Sequence, residues 1–414
     1  MWGRKRLIDV KQRIFKASEY WYLGMLVLLT VYKVLSYACL DIVWDNLGEG
    51  IPIIRFLIVH FLLEPNGVLL ILAVIRHICY EKYDIRELIV AVLICYLTAY
   101  AVKVNHHEEI LMMILLMLCA RGISFRRLLK IYFITVCLTV TGVVLASQFG
   151  LIQNMQYQLS GRRFQLAFGF SYPTRFASHI FFFLLWYWYL RGNRMKYKEA
   201  IMPIMAGVFV WIFSNARLNT VCLFAMAGVM LWQSYSFRKA ENRGTNSPAL
   251  AGLAELLPLS PIIAALTITM LTVMYTADNP FMYHLNQILN GRLSLTQKAI
   301  DIYGVHIWGR WIRMAGNGGY RMGNIKYFYI DSAFMQCSVR YGLVLLVMIL
   351  LLFWVIGIRG KKYKNMLLIW ALLFVSVHAM IEPQLMELQY CPLLFAAFAE
   401  FGEDGTERID HEKA

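Results

Sequence analysis

The sequence predicts an all-α polytopic membrane protein with about 12 transmembrane helices, and three observations carry that expectation. Of its 414 residues, 59% are hydrophobic and only 16% charged, against roughly 45–50% and about 25% in ordinary soluble domains. The mean hydropathy is +0.56. The apolar residues also fall in blocks bounded by charged clusters, the pattern of a chain that crosses a bilayer repeatedly. A hydrocarbon core ~30 Å thick takes about 20 helical residues per crossing, so the length accommodates on the order of a dozen. A soluble enzyme, a disordered chain and a disulfide scaffold are excluded.

Taken in order, the apolar blocks are 20–40, 53–80, 88–102, 110–120, 128–147, 175–190, 200–213, 218–232, 256–275, 333–358, 366–381 and 388–401. Together they form one polytopic domain over 1–414, with a long extracytoplasmic loop at 276–331 between spans 9 and 10. The first block follows Arg4, Lys5, Arg6, Lys11, Arg13 and Lys16 without a small-residue cleavage site. It reads as an uncleaved first span with a cytoplasmic N-terminus. Basic clusters recur at Arg76/Lys82/Arg86, Arg121/Arg126/Arg127/Lys130, Arg191/Arg194/Lys196/Lys198, Arg238/Lys239/Arg243 and Arg359/Lys361/Lys362/Lys364. With the two ends of the chain, these clusters hold 26 of the 40 Lys and Arg. The positive-inside rule then puts both termini in the cytoplasm. It also accounts for the net charge of +15 without nucleic acid as a partner. The eight cysteines form no CxxC pair and sit mostly in apolar stretches, as small buried hydrophobes.

The basic residues on the other side need a different reason. Arg162, Arg163, Arg175, Arg217, Arg292, Lys298, Arg310, Arg313, Arg321, Lys326 and Arg340 fall outside the spans or at their outer ends, where loops are ordinarily poor in Lys and Arg. Nine of the eleven are Arg, whose planar fork suits bidentate phosphate binding. Two segments, 148–173 and 276–331, carry most of them. The second is too polar to span and too aromatic for a linker, so a small folded cap is expected there.

Several local patterns could carry chemistry. Gly291-Arg292 opens an amphipathic helix, where a guanidinium near free N–H groups would make an anion site; a surface helix with an incidental Arg is the competing reading. Arg162-Arg163 precede Phe168-Gly169-Phe170-Ser171-Tyr172-Pro173, a turn that would aim charge at the membrane surface. Arg175 and His179 follow, with headgroup snorkelling and core packing as the bland alternatives. Ser214-Asn215-Ala216-Arg217 is a tight turn between two spans, and an Arg so near hydrocarbon is costly unless it has a partner. Asp331 and Glu382 each flank a span and could serve as a base or simply neutralise arginines. His106-His107-Glu108-Glu109 is a poor metal site, because adjacent ligands on one short loop rarely close a coordination sphere. No metal and no cofactor are expected. A P-loop, HExxH and GxSxG are all missing from the sequence.

In their order along the chain, these residues resemble the O-antigen polymerase and O-antigen ligase superfamily, especially Wzy-like polymerases of capsule and exopolysaccharide repeat units. The resemblance rests on the Arg-then-Gly-Phe…Pro segment at 162–173 and the Ser-x-x-Arg turn at 214–217. It continues in Gly291-Arg292…Ala299-Ile300…Tyr303-Gly304…Gly309, Asp331 with Tyr341-Gly342-Leu343, and Glu382 before Pro392. Ser171-Tyr172-Pro173-Thr174 departs from the His-Pro-Asn common in relatives, and Ser332 stands where Asn is common. Asp331 occupies a position where ligases tend to carry His, which resembles the polymerase branch.

The resemblance implies inverting, metal-independent glycosyl transfer on the outer face of a bacterial cytoplasmic membrane. The partners would be a donor and an acceptor glycan, each on undecaprenyl pyrophosphate, with a chain-length regulator as a further candidate. Departure of pyrophosphate builds negative charge, for which Arg162, Arg163, Arg217 and Arg292 are the candidates. Asp331 would take the acceptor's proton, and Arg175, Arg310, Arg313, Arg340 and Glu382 would line the substrate. A ligase acting on another acceptor and a lipid-linked oligosaccharide flippase are the competing readings.

Overall fold

A computed structural model of the chain describes residues 2–39, 65–80, 84–158, 164–192, 195–243, 255–316 and 327–401. The described chain is a helical bundle. Its first five helices are α1 (Trp2–Leu35), α2 (Asn66–Cys79), α3 (Ile85–Asn105), α4 (Glu108–Cys119) and α5 (Phe125–Gln148). A two-stranded hairpin, β1 (Gln156–Tyr157) with β2 (Gln165–Leu166), precedes α6 (Pro173–Arg191). Then come α7 (Ile201–Phe213), α8 (Arg217–Arg243), α9 (Ser260–Val273), α10 (Pro280–Ile288) and α11 (Arg292–Tyr303). The last are α12 (Ala333–Gln336), α13 (Leu343–Lys362) and α14 (Met366–Ala379). Among the described residues, four helices are long and apolar enough to cross a membrane: α1 over Asp9–Leu35, α3, α5 and α13.

The bundle turns apolar side chains outward as well as inward. Ile89, Val92, Leu93 and Tyr96 of α3, and Ile201, Met205 and Ile212 of α7, are exposed. A soluble monomer does not present such a surface, whereas lipid tails cover it at no cost. At the centre lies α4, only 12 residues and about 18 Å long. Too short to reach both ends of a bundle by itself, it is capped by a side chain. The buried Arg76 guanidinium donates to the carbonyls of Cys119 at 2.7 Å and Arg121 at 2.6 Å, and lies 4.4 Å from the Phe15 ring. That end of the bundle also collects Arg126, Arg359 and Lys361, with Tyr80 and Arg359 meeting residues 397–400.

Three of the expected spans take another form. Of block 53–80, only Asn66–Cys79 is a described helix; residues 53–64 with Arg55, His60 and Glu64 lie outside the described residues. Block 333–358 is broken. After α12 the chain makes a π-helical turn over Cys337–Tyr341, reverses at Gly342 and restarts as α13. Block 388–401 is not an α-helix but an irregular strand of chain with one short 3-10 turn, Leu393–Ala397. It runs the length of the bundle, from Tyr390 beside Arg175 to Glu400 paired with Ile123 and Phe125. Every residue from Leu388 to Ala399 except Phe398 is buried. Non-helical backbone is tolerated at membrane depth only where protein surrounds it, and hydropathy cannot distinguish that case from a helix.

Gly342 explains the break. Its φ of 104° and ψ of 152° lie in a region open essentially to glycine alone. A Cβ there would stand 2.5 Å from the Trp308 carbonyl carbon and closer still to the Gly309 amide. The close approach lets Leu343 and Val344 donate to the carbonyls of His306 and Ile307, both at 3.1 Å. Gly342→Ala is therefore expected to lower stability by about 1–3 kcal/mol from backbone strain alone, read as an earlier thermal unfolding midpoint in detergent. A midpoint equal to that of the wild-type chain would contradict this account of the junction.

Candidate active site

One end of the bundle gathers the segments that the charge pattern singled out. Gly169, at φ 88°, turns the chain so that its carbonyl accepts from Cys39 at 2.9 Å, and the Ser171 amide donates to Tyr37 at 3.0 Å. These bonds tie the segment to the end of α1. Pro173, preset for a helix start, begins α6, which puts Arg175 on its first turn. The Arg175 guanidinium lies 3.7 Å from the Tyr37 ring, and its buried Nη1 has no hydrogen-bond partner among the described residues. Asn215, at φ 48°, closes the turn between α7 and α8. Ser214 donates from Oγ to the Leu166 carbonyl of the hairpin at 3.4 Å. Arg217 follows as the first residue of α8. Its side chain is exposed, and no partner for it occurs among the described residues.

These segments enclose a cavity of about 1030 Å³. Arg175, Arg217, Arg292, Asp331 and Glu382 line it, together with Gln384 and Glu387. Trp211, Val221 and Ile288 add an apolar wall, and the same three residues are exposed on the outside of the bundle. The expected folded segment at 276–331 contributes α10, α11 and a bridge between Ala315 and Phe328.

Arg292 is placed as expected but is not a free anion site. Asn286 Oδ1 accepts from the amides of Leu293 at 3.1 Å and Ser294 at 3.2 Å, so two of the helix's first N–H groups are already used. The guanidinium donates to the Ile381 carbonyl at 2.6 Å and to Glu382 at 2.8 Å, and lies 3.5 Å from Asp331. Burial by itself would lower the Arg292 pKa, but the two carboxylates together hold it above its ordinary value. Asp331 is pushed up to about 6, because burial and the nearby Glu382 outweigh the attraction of Arg292. Asp331 and Glu382 are both ion-paired with Arg292.

Other site candidates lie elsewhere. Arg310 donates to the Tyr303 carbonyl at 2.8 Å, and Arg313 is exposed. Arg340 donates to Gln336 at 3.1 Å, beside His107 and Tyr341. None of these three lines the cavity. Arg162 and Arg163 lie outside the described residues. His179 is a packed ring between Phe170 and Tyr390.

Sequence reasoning passed over Glu387, which lines the cavity from the loop after α14. Its carbonyl accepts from Tyr390 at 3.0 Å and Cys391 at 3.1 Å, and its Oε2 accepts from Gln389 Nε2 at 2.6 Å. Burial pushes the Glu387 carboxyl up to about 7, against the pull of Arg175. In the sequence it is one carboxylate directly before an apolar block, with nothing local to separate it from an ordinary loop boundary. No protein-family model, no curated protein and no solved structure matches this chain.

Proposed function

We propose that the chain is a metal-independent membrane glycosyltransferase that polymerises oligosaccharide repeat units carried on undecaprenyl pyrophosphate. The observation that carries the reading is a cavity of about 1030 Å³ in which Arg217, without a partner among the described residues, meets buried carboxyls and an apolar wall exposed on the outside of the bundle. A lipid pyrophosphate needs these three surroundings together: a cation for the departing phosphates, acceptors for sugar hydroxyls, and a dry path for the prenyl chain. Arg217 would hold the pyrophosphate, and Trp211, Val221 and Ile288 would meet the tail.

Twelve passes through the bilayer complete the proposal. Nine are α1 to α9, followed by α13, α14 and the irregular stretch 388–401, with the segment 276–331 between the ninth and tenth. The cavity end would then face outward and both chain ends inward. Support for this orientation comes from Arg76, Arg121, Arg126, Arg359 and Lys361, all at the opposite end of the bundle. The membrane would be the bacterial cytoplasmic membrane.

The test uses the full chain in lipid nanodiscs, supplied with lipid-linked repeat units extracted from a source strain that lacks it. A ladder of products differing by one repeat is expected. A single transfer to another acceptor would make the chain a ligase, and movement of the lipid across vesicles without a new glycosidic bond would make it a flippase.

A further inference from the structure

The carboxylate to which the sequence points for proton transfer is Asp331, which is ion-paired in the fold. It lies 3.5 Å from Arg292, and that guanidinium also binds Glu382 and the Ile381 carbonyl. Arg292 is thus shared between two carboxylates and sits closer to Glu382 than to Asp331. Glu387 is arranged differently. Gln389 fixes its Oε2 at 2.6 Å, and its Oε1 has no hydrogen-bond partner among the described residues. A 3-10 turn over Gln384–Met386 leads into it, and its own carbonyl is pinned by two amides. The residue is thus rigid at the backbone, oriented through one oxygen and open at the other.

Two residues that line the same cavity each carry a buried polar atom without a partner among the described residues. Arg175 brings a buried Nη1 donor and Gln384 a buried Oε1 acceptor, and both residues line the cavity. Leaving either atom unpaired is costly, an arrangement that makes sense when a ligand supplies the missing bonds. A donor, a neutral acceptor and a carboxylate match the hydroxyls of a sugar ring, each of which both gives and accepts a hydrogen bond. The wall formed by the α7–α8 turn is chemically distinct, with Arg217 among Trp211 and Val221.

We propose that Arg175, Gln384 and Glu387 form the acceptor subsite, in which Arg175 and Gln384 hold the acceptor sugar and Glu387 takes the proton from its attacking hydroxyl. The inference rests on the glycosyl-transfer reading and assigns the base within it. In the step, the acceptor O–H bond breaks and its proton passes to Glu387 Oε1. The oxygen forms a bond to the donor's anomeric carbon. The bond from that carbon to pyrophosphate breaks, and its electron pair leaves on the pyrophosphate beside Arg217. The anomeric centre inverts, and the carboxylic acid then returns its proton to water.

A base must be ionised to work, and burial holds Glu387 near neutrality, at about 7. The groups that set this are Arg175 on α6, Lys33 on α1, Glu109 on α4 and Glu382 in the adjoining loop. The phenols of Tyr37, Tyr329 and Tyr390 also face the carboxyl. Turnover should therefore fall as pH drops below about 7.

The experiment measures polymer formation against pH for the wild-type chain, Glu387→Gln, Glu387→Asp and Asp331→Asn, each full length in nanodiscs with the extracted lipid-linked repeats. Binding of undecaprenyl pyrophosphate alone is followed in parallel. Glu387→Gln is expected to lose about a hundredfold or more in rate while retaining undecaprenyl pyrophosphate binding within about threefold. Glu387→Asp should recover part of the rate with a displaced acid limb, which a purely structural role would not produce. Asp331→Asn should keep the acid limb. If Glu387→Gln polymerises at the wild-type rate, or if Asp331→Asn alone abolishes the acid limb, the assignment of Glu387 is overturned and the polymerase reading stands. If the wild-type chain binds undecaprenyl pyrophosphate but forms no glycosidic bond, the polymerase reading itself falls and this role falls with it. Should Glu387→Gln fail to fold, an undisplaced acid limb in Glu387→Asp overturns the assignment.

Discussion

Arg217→Lys is expected to reduce polymer formation about a hundredfold or more while leaving membrane insertion and thermal stability unchanged. The residue begins α8 directly after the Asn215 turn, its side chain is exposed toward the cavity, and it holds no carboxylate among the described residues. No described residue pairs with its charge, so a loss of activity reports on ligand chemistry. Lysine keeps the positive charge but presents a point charge in place of a planar fork, and so cannot reproduce bidentate contact with a pyrophosphate. Gel analysis of product length in the nanodisc assay checks this. A wild-type length distribution from Arg217→Lys would remove Arg217 from the phosphate site.

Arg292→Met should act in the opposite way, through folding. It deletes the shared partner of Glu382 and Asp331, whose side chains are only 4% and 14% exposed. Breaking a buried ion pair from one side costs about 3–5 kcal/mol, because the remaining charge has neither water nor a counterion. A substantially lower unfolding midpoint and reduced yield are expected in detergent. The sign with pH follows from Asp331, which already sits at about 6 against an ordinary value near 3.8. Without Arg292 its folded-state pKa rises further, so the folded chain binds more protons than the unfolded chain across that window. The defect should therefore be largest above the window and shrink as pH falls through it. The double variant Arg292→Met/Glu382→Leu should recover part of the loss, since it no longer leaves Glu382 as an unpaired buried charge. An unchanged midpoint in Arg292→Met would show that the cluster contributes little to the fold.

The two variants separate arginines that look alike in the sequence. Both begin helices at the cavity end, and both fit an anion-binding pattern. Whether a guanidinium is free or neutralised depends on residues about ninety positions away, as with Arg292 and Glu382, and no local spacing encodes that distance. The closing turn at 214–217 was legible for the opposite reason: its geometry is set by four consecutive residues. Glu387 was missed because a carboxylate beside an apolar block looks like a loop boundary until Arg175 and the cavity are brought to it.

Composition and the alternation of apolar blocks with charged clusters were enough to point to a helical membrane protein, because solvation by lipid acts on each segment separately. The irregular path of 388–401 and the break at Gly342 needed the folded molecule. So did the sorting of Arg217 from Arg292 and the meeting of Glu387 with Arg175. Each of these depends on which distant groups satisfy a backbone amide, a buried charge or a close backbone approach, and such pairings come into being only when the helices pack.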